Sequence, residues 1–336
     1  MELSEFWFLL VAVLFVGFFF LEGFDFGVGM GTRVLAKSDQ ERRVLINTIG
    51  PFWDANEVWL ITAGGAVFAA FPHWYATMFS GYYIPFVFVL LALIIRGVAF
   101  EFRGKGRHMY WKKTWDWSIF LGSLMPPFLF GVLFTSMLKG MPIDETMTMR
   151  AGFTDFVNIY SVAGGLTLVI LCYLHGMMFL TLKTVGEVQG RARKHAGRSA
   201  TAVFAALIAF VVLSVFNTDM YVVKGGWVAG ITVATVTSYA AAFLFSMRGR
   251  DGWAFVFSGI GIASVVASVF VALFPRVMVS SLSSLNDLTV YSASSGDYSL
   301  RVMSIVAITL LPFVLGYQIW SYYVFRKRVT GKDLTY

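Results

Sequence analysis

At 336 residues the chain is long enough for two soluble domains, yet 58% of it is hydrophobic, 13% is charged and its mean hydropathy is +0.73. Soluble chains carry about twice that share of charge, so the composition excludes a water-facing fold and predicts an all-α integral membrane protein with many spans. The formal net charge of +7 does not signal nucleic-acid binding, because the basic residues fall in short clusters between apolar runs, which is how membrane topology is encoded.

Apolar segments of roughly bilayer length lie near residues 6–31, 51–71, 77–102, 115–138, 157–183, 199–220, 226–247, 253–275 and 301–326. They predict nine transmembrane helices. The first has an acidic flank and no basic leader or small-residue cleavage site, so it reads as a retained span rather than a signal peptide. The joints alternate in charge. Arg33, Lys37, Arg42 and Arg43 follow the first span, and Arg103, Lys105, Arg107, Lys112 and Lys113 follow the third. Lys183, Arg191, Arg193, Lys194 and Arg198 follow the fifth, Arg248 and Arg250 the seventh, and Arg326, Lys327, Arg328 and Lys332 the ninth. The other joints hold few basic residues. The positive-inside rule then puts the N-terminus outside and the C-terminus in the cytoplasm.

This orientation gives the intramembrane acids a depth. Glu22 and Asp25 lie in the cytoplasmic half of the first span, Asp54 and Glu57 enter at the same level on the second, and Arg96 and Glu101 arrive there on the third. Each acid pair is spaced three apart and shares one helix face. A carboxylate in hydrocarbon costs kilocalories unless it is paired or wet, so neighbouring spans would gather these groups into a polar cluster open to the cytoplasm. Two readings compete for Asp54 and Glu57. Carboxylates are favourable beside a helix N-terminus, which accounts for Asp54 in part. A proton relay accounts for Glu57 and for the matching pair Glu22 and Asp25 as well. Arg96 is either a snorkelling side chain or the counter-ion of the acids.

Other features carry less. Gly23, Gly27, Gly29 and Gly31 permit close helix approach. Pro126 and Pro127 would break or kink the fourth span, as Pro85 would the third and Pro312 the ninth. Trp115 and Trp117 flank Asp116 where an aromatic belt is expected. The segment from Val277 to Ser299 is a long polar surface loop or a partner contact. The single cysteine, Cys172, excludes an internal disulfide and reads as inert packing. Four histidines, His73, His108, His175 and His195, show no spacing of a haem or metal site; His175, within the fifth span, reads as a hydrogen-bonded helix histidine. No metal site is expected on this chain.

The motifs themselves resemble a known family. LEGFDFGVGM, the run ERRVLINTIGPFWDANEVWLITAGGAVFAAFP, the WDW of Trp115 to Trp117 with SLMPP after it, the TVGE of Thr184 to Glu187, and GWAFVFS at the eighth span with its FP close at Phe274 and Pro275 resemble subunit II of the cytochrome bd quinol oxidases. The resemblance covers nearly the whole chain. It implies a complex that oxidises a membrane quinol and reduces dioxygen to water in aerobic respiration, in the bacterial cytoplasmic membrane. It further implies two b haems and one d haem in a partner, subunit I, and none here. The implied fold is two four-helix bundles, about residues 6–138 and 157–275, with a peripheral helix at about 301–326. For some members it also implies a small single-helix subunit and a structural quinone.

Residue by residue, the resemblance implies that Asp54, with Trp53 and Asn56 of the same motif, lies on a proton path from the cytoplasm. Asp25 is implied as its partner, while Glu57 stands where some members carry glutamine. The expected role is a haem-free subunit that stabilises subunit I and conducts protons through Asp54, Asp25, Glu22, Glu57 and Arg96. The rival readings are a purely structural scaffold in the same complex and a stand-alone proton-coupled transporter.

Overall fold

The computed structural model describes residues 2–331 and residue 334; Lys332 of the last basic group lies outside the described residues. The helices are α1 (Leu3–Val34), α2 (Asp39–Ile49), α3 (Trp53–Ala70), α4 (Pro72–Gly81), α5 (Tyr83–Phe102), α6 (Met109–Lys139), α7 (Phe153–Phe156), α8 (Ile159–Lys183), α9 (Gly186–Asn217), α10 (Met220–Val223), α11 (Gly225–Met247), α12 (Asp251–Leu273) and α13 (Asp297–Val324). Two short strands, β1 (Arg276–Met278) and β2 (Leu288–Thr289), pair antiparallel. The fold is all-helical in its membrane part. Among the described residues eight helices are long and apolar enough to cross a membrane: α1, α5, α6, α8, α9, α11, α12 and α13.

The predicted second span is a helix of 18 residues, α3, but Asp54, Asn56 and Glu57 in its first two turns keep it out of that apolar set. The predicted third span divides at Tyr82. Its first residues join α4, and Pro85 falls in the first turn of α5, where a missing amide N–H costs nothing. The joint carrying Arg191, Arg193, Lys194 and Arg198 is helical too, because α9 starts at Gly186 and runs for 32 residues. α6 runs unbroken through Pro126 and Pro127, both buried.

α1 is the central helix and packs against α3, α6, α8 and α12. Lipid offers no hydrophobic drive between helices, so association rests on close van der Waals fit. A Cβ on Gly27 would strike the Cys172 carbonyl and the backbone of Gly176, so the two glycines let α1 and α8 touch main chain to main chain. Further out, Phe15, Phe19, Phe130, Phe134 and Phe270 interlock; Phe15 stacks on Phe270 at 5.6 Å and Phe19 meets Phe130 edge-on at 5.7 Å. Such pairs add about 0.5–1.5 kcal/mol each beyond their area.

α13 is held differently. Only Leu300 and Ser304 of its 28 residues are buried, and its first two turns are fastened by the Trp7 indole N–H, which donates to Ser304 Oγ at 3.0 Å and the Leu300 carbonyl at 3.2 Å. Past its end, Lys183 Nζ donates to the Phe325 and Lys327 carbonyls. The segment from Val277 to Ser299 is a packed cap rather than a free loop. Val277, Met278, Leu288 and Val290 are buried, Ser280 Oγ donates to the Ile143 carbonyl at 2.7 Å, and Arg276 grips Asp219 through both terminal nitrogens at 2.8 and 2.9 Å.

Candidate functional site

The helical spacing of three places Glu22 and Asp25 on one face of α1, and both are fully buried. Asn56 of α3, also fully buried, comes up to them, and its Nδ2 donates to Asp25 Oδ2 at 2.7 Å. From α5, the buried Arg96 donates through Nη2 to Glu22 Oε1 and, at 2.5 Å, to Glu57 Oε1. Arg96 is therefore a counter-ion and not a snorkelling side chain. Its guanidinium also lies over the Phe26 ring, 4.6 Å from the centroid, an attraction that is stronger for a fully buried cation than for an exposed one.

Four elements of the expectation thus meet: Glu22, Asp25, Glu57 and Arg96. Two do not. Asp54 lies on the exposed face of α3 and Glu101 on the exposed face of α5, each without a hydrogen bond or ion pair among the described residues. Asp54 occupies the first turn of a helix that has no side-chain cap, where its charge suits the exposed amides. The Glu57 side chain is 20% exposed, against none for Glu22 and Arg96, so it is the edge of the cluster least enclosed by this chain.

The cluster is unevenly satisfied. Glu22 Oε2, Asp25 Oδ1, Arg96 Nε and Arg96 Nη1 are buried with no hydrogen-bond partner among the described residues. Buried polar atoms are nearly always hydrogen-bonded; here the Asp25 and Glu22 side chains also lie within hydrogen-bonding reach of each other, a contact that needs a proton between two carboxyl groups. Glu57 also borders a cleft of about 980 Å³ between α3, α4 and α5, lined by Trp53, Phe68, Phe79, Phe86 and Leu93 and backed by Phe134 of α6 and Phe270 of α12. The cleft is almost wholly apolar. Trp74, whose buried indole N–H has no partner among the described residues, lines it as well.

The sequence matches, over residues 3–325, the family described as cytochrome bd terminal oxidase subunit II. It is 61% identical over 336 residues to cytochrome bd ubiquinol oxidase subunit 2 of Bacillus subtilis, covering 100% of this chain and 99% of that one. It is 37% identical to cytochrome bd-I ubiquinol oxidase subunit 2 of Escherichia coli, covering 98% of this chain and 95% of that one. The chain belongs to the cytochrome bd terminal oxidase subunit II family. A chain in the solved structure of bd oxidase from Geobacillus thermodenitrificans has the same fold, with a TM-score of 0.79 at 18% identity over 97% of this chain and 100% of that one. The protein is accordingly a multi-pass membrane subunit of a terminal oxidase.

Membership raises the question of haem. His175 is fully buried in α8, and both ring nitrogens are engaged, Nδ1 with Ser258 Oγ at 2.7 Å and Nε2 with the Phe20 carbonyl at 3.0 Å. It has no lone pair free for iron. Among the described residues no group of three His, Cys, Asp or Glu side chains could hold a metal ion. His175, the one histidine within an apolar span, is therefore not available as an axial ligand to a haem.

Three residues of the site escaped sequence reading. Asn56 Oδ1 accepts from Gln318 Nε2 at 3.2 Å and from the Tyr322 hydroxyl at 3.0 Å, and Trp59 Nε1 donates to Gln318 Oε1 at 2.9 Å. Gln318 is the lone amide in the apolar run 301–326. That anomaly was the available signal.

Proposed function

We propose that this subunit II serves a bd-type oxidase that oxidises a membrane quinol and reduces dioxygen to water, and that it stabilises a haem-bearing subunit I while conducting protons from the cytoplasm. The two b haems and one d haem belong, on this reading, to subunit I; bound there, they supply the electron transfer. α3 serves as the ninth span despite its polar start, since it lies along α1. The arrangement is then two four-helix bundles with α13 peripheral, the N-terminus outside and the C-terminus cytoplasmic. A single-helix subunit is a further candidate partner. A structural quinone would suit the apolar cleft, with Trp53, Phe79 and Phe86 along it and the Trp74 N–H as a donor.

One observation carries the proton role: three carboxyl groups, Glu22, Asp25 and Glu57, surround a single buried guanidinium. Fully ionised, they would leave an excess negative charge in a low-dielectric place, at a cost of several kilocalories. A cluster of that kind holds protons as part of its ground state and can exchange them with water entering beside Glu57. Asp54, on the exposed face of α3, is the group that faces either the cytoplasmic entry or subunit I. In this scheme Glu57 and Asp54 receive protons, Glu22 and Asp25 hold them, and Arg96 fixes the geometry.

The test is Asp54→Asn and Asp25→Asn in the assembled complex. A relay predicts normal haem content with oxygen-reducing turnover lowered by on the order of tenfold or more. Full turnover in both variants would remove the relay and leave the scaffold reading, which instead expects lower assembly and unaltered turnover of whatever assembles. A stand-alone transporter would purify without a haem-bearing partner.

A further inference from the structure

We propose that Gln318 and Tyr322 of α13 are positioning residues for Asp25, acting through Asn56 to reserve one carboxyl oxygen, Oδ1, for proton exchange. The proposal rests on the relay reading above and adds to it a part for the last helix.

The argument is one of hydrogen-bond direction. An amide side chain can be turned by half a rotation, and its orientation is decided by its partners. Here the chain of partners ends on an indole, which only donates. Trp59 Nε1 therefore requires the oxygen of Gln318 at 2.9 Å, which leaves Gln318 Nε2 to donate to Asn56. The Tyr322 hydroxyl donates to the same Asn56 oxygen. With two donors on Oδ1, Asn56 must present Nδ2 to Asp25, and it does so at 2.7 Å while also reaching the Leu21 carbonyl at 3.4 Å.

Asp25 Oδ2 is thus held as an acceptor, and a proton there would face an N–H. Oδ1, which receives no N–H or O–H donor among the described residues, is the oxygen left to take a proton, with the Glu22 carboxyl beside Asp25 as the group that can share it. The other charged or titratable groups around it are Glu22 on α1, Glu57 on α3, Arg96 on α5 and Tyr322 itself; Cys172 of α8 lies on the Glu22 side. None of these other than Tyr322 changes in the variants below.

A structural role, in which the same bonds merely dock α13, is separable. Tyr322 stacks on Phe52 at 4.4 Å and 6°, so Tyr322→Phe keeps the ring contact and removes only the hydroxyl. Gln318→Met keeps the length and removes both bonds. Without the two donors the Asn56 amide is free to turn its oxygen to Asp25 Oδ2, an arrangement that calls for a proton between them. Asp25 would then keep its proton to higher pH.

The experiment is an infrared titration of the purified, haem-loaded complex, following the carboxyl C=O band that Asp25→Asn abolishes. In the Gln318→Met, Tyr322→Phe double variant the midpoint of that band should rise by about one pH unit, a tenfold change in proton affinity, with the alkaline limb of turnover moving alike. An unmoved midpoint in a complex of normal haem content overturns the proposal, and so does a lowered yield of complex in Tyr322→Phe alone when the fraction that does assemble titrates at the parent midpoint. A complex in which Asp25→Asn leaves turnover and its pH limb unaltered contradicts the relay itself, a separate outcome.

Discussion

Two charged networks lie a few helical turns apart, and they are built on opposite principles. At the joint between α2, α5 and α6, two carboxylates are each matched twice: Asp116 accepts from Arg103 at 2.6 Å and pairs with Arg42 at 3.2 Å, while Asp39 takes Arg103 at 2.6 Å and Lys112 at 2.8 Å. Inside the membrane part, Glu22, Asp25 and Glu57 share one Arg96, and four of their polar atoms have no partner among the described residues. The matched network has nothing left to exchange and works as a tie. The unmatched one carries more carboxyl groups than cations, and on the proposed relay reading that surplus is what holds exchangeable protons.

The sharpest way to break this contrast is Arg96→Met. It leaves three carboxyl groups without a cation, and removing one partner of a buried pair costs about 3–5 kcal/mol. The expected outcome is loss of the assembled complex, read as the yield of haem per membrane protein. Adding Glu22→Gln should restore part of that yield, because the second change removes the charge that the first left exposed to hydrocarbon. A neutral effect of Arg96→Met would mean that the acids are already uncharged, and the contrast would lose its basis.

Asp116→Asn tests the other network. It weakens two charge-assisted bonds at once on a side chain that is only 2% exposed, so a loss of about 1–3 kcal/mol is expected, visible as a lower thermal midpoint of the complex. Turnover of the surviving complex should match the parent. A variant that kept its thermal midpoint but lost turnover would give the joint a part in proton conduction.

The membrane class, most span positions and the meeting of Glu22, Asp25, Glu57 and Arg96 were legible because they depend on quantities that a sequence carries locally: run length, charge of the joints, and a spacing of three on a helix. What escaped depends on how distant elements rotate about one another. Asp54 and Glu57 share a spacing, yet α3 packs so that Asn56 faces α1, Glu57 is half-turned toward Arg96 and Asp54 faces out. Nothing in the motif fixes that rotation; the close seat of α1 on its neighbours does. Gln318 and Tyr322 reach Asn56 across more than 250 residues, and a lone amide in an apolar helix shows only that it needs a partner. The helical start of α9 was masked by charge. Basic residues mark a joint by composition, but they are good helix formers and continue the helix into water.

The smallest expected effect is one of pH at the matched network. Burial alone would raise the Asp39 carboxyl, but bonds from Lys112 and Arg103 outweigh it and hold it at about 2, against an ordinary 3.8. A depressed carboxyl contributes stability that is present above its unfolded value and is lost as pH falls through the folded one. The joint should therefore hold from neutral pH down to about 4 and weaken from there toward about 2. Because the Asp39 side chain is 44% exposed, solvent screens the pair, and the contribution should stay below about 1 kcal/mol. The difference in thermal midpoint between the parent complex and Asp39→Asn isolates it from the other carboxyls that titrate in the same range. That difference should shrink on acidification and also on raising salt, since an exposed pair is screened within about 10 Å at 0.1 M. The stability cost of Arg96→Met, arising where ions do not penetrate, should be indifferent to salt. Equal salt sensitivity at the two places would show that water reaches both alike and that their difference in burial has no energetic consequence.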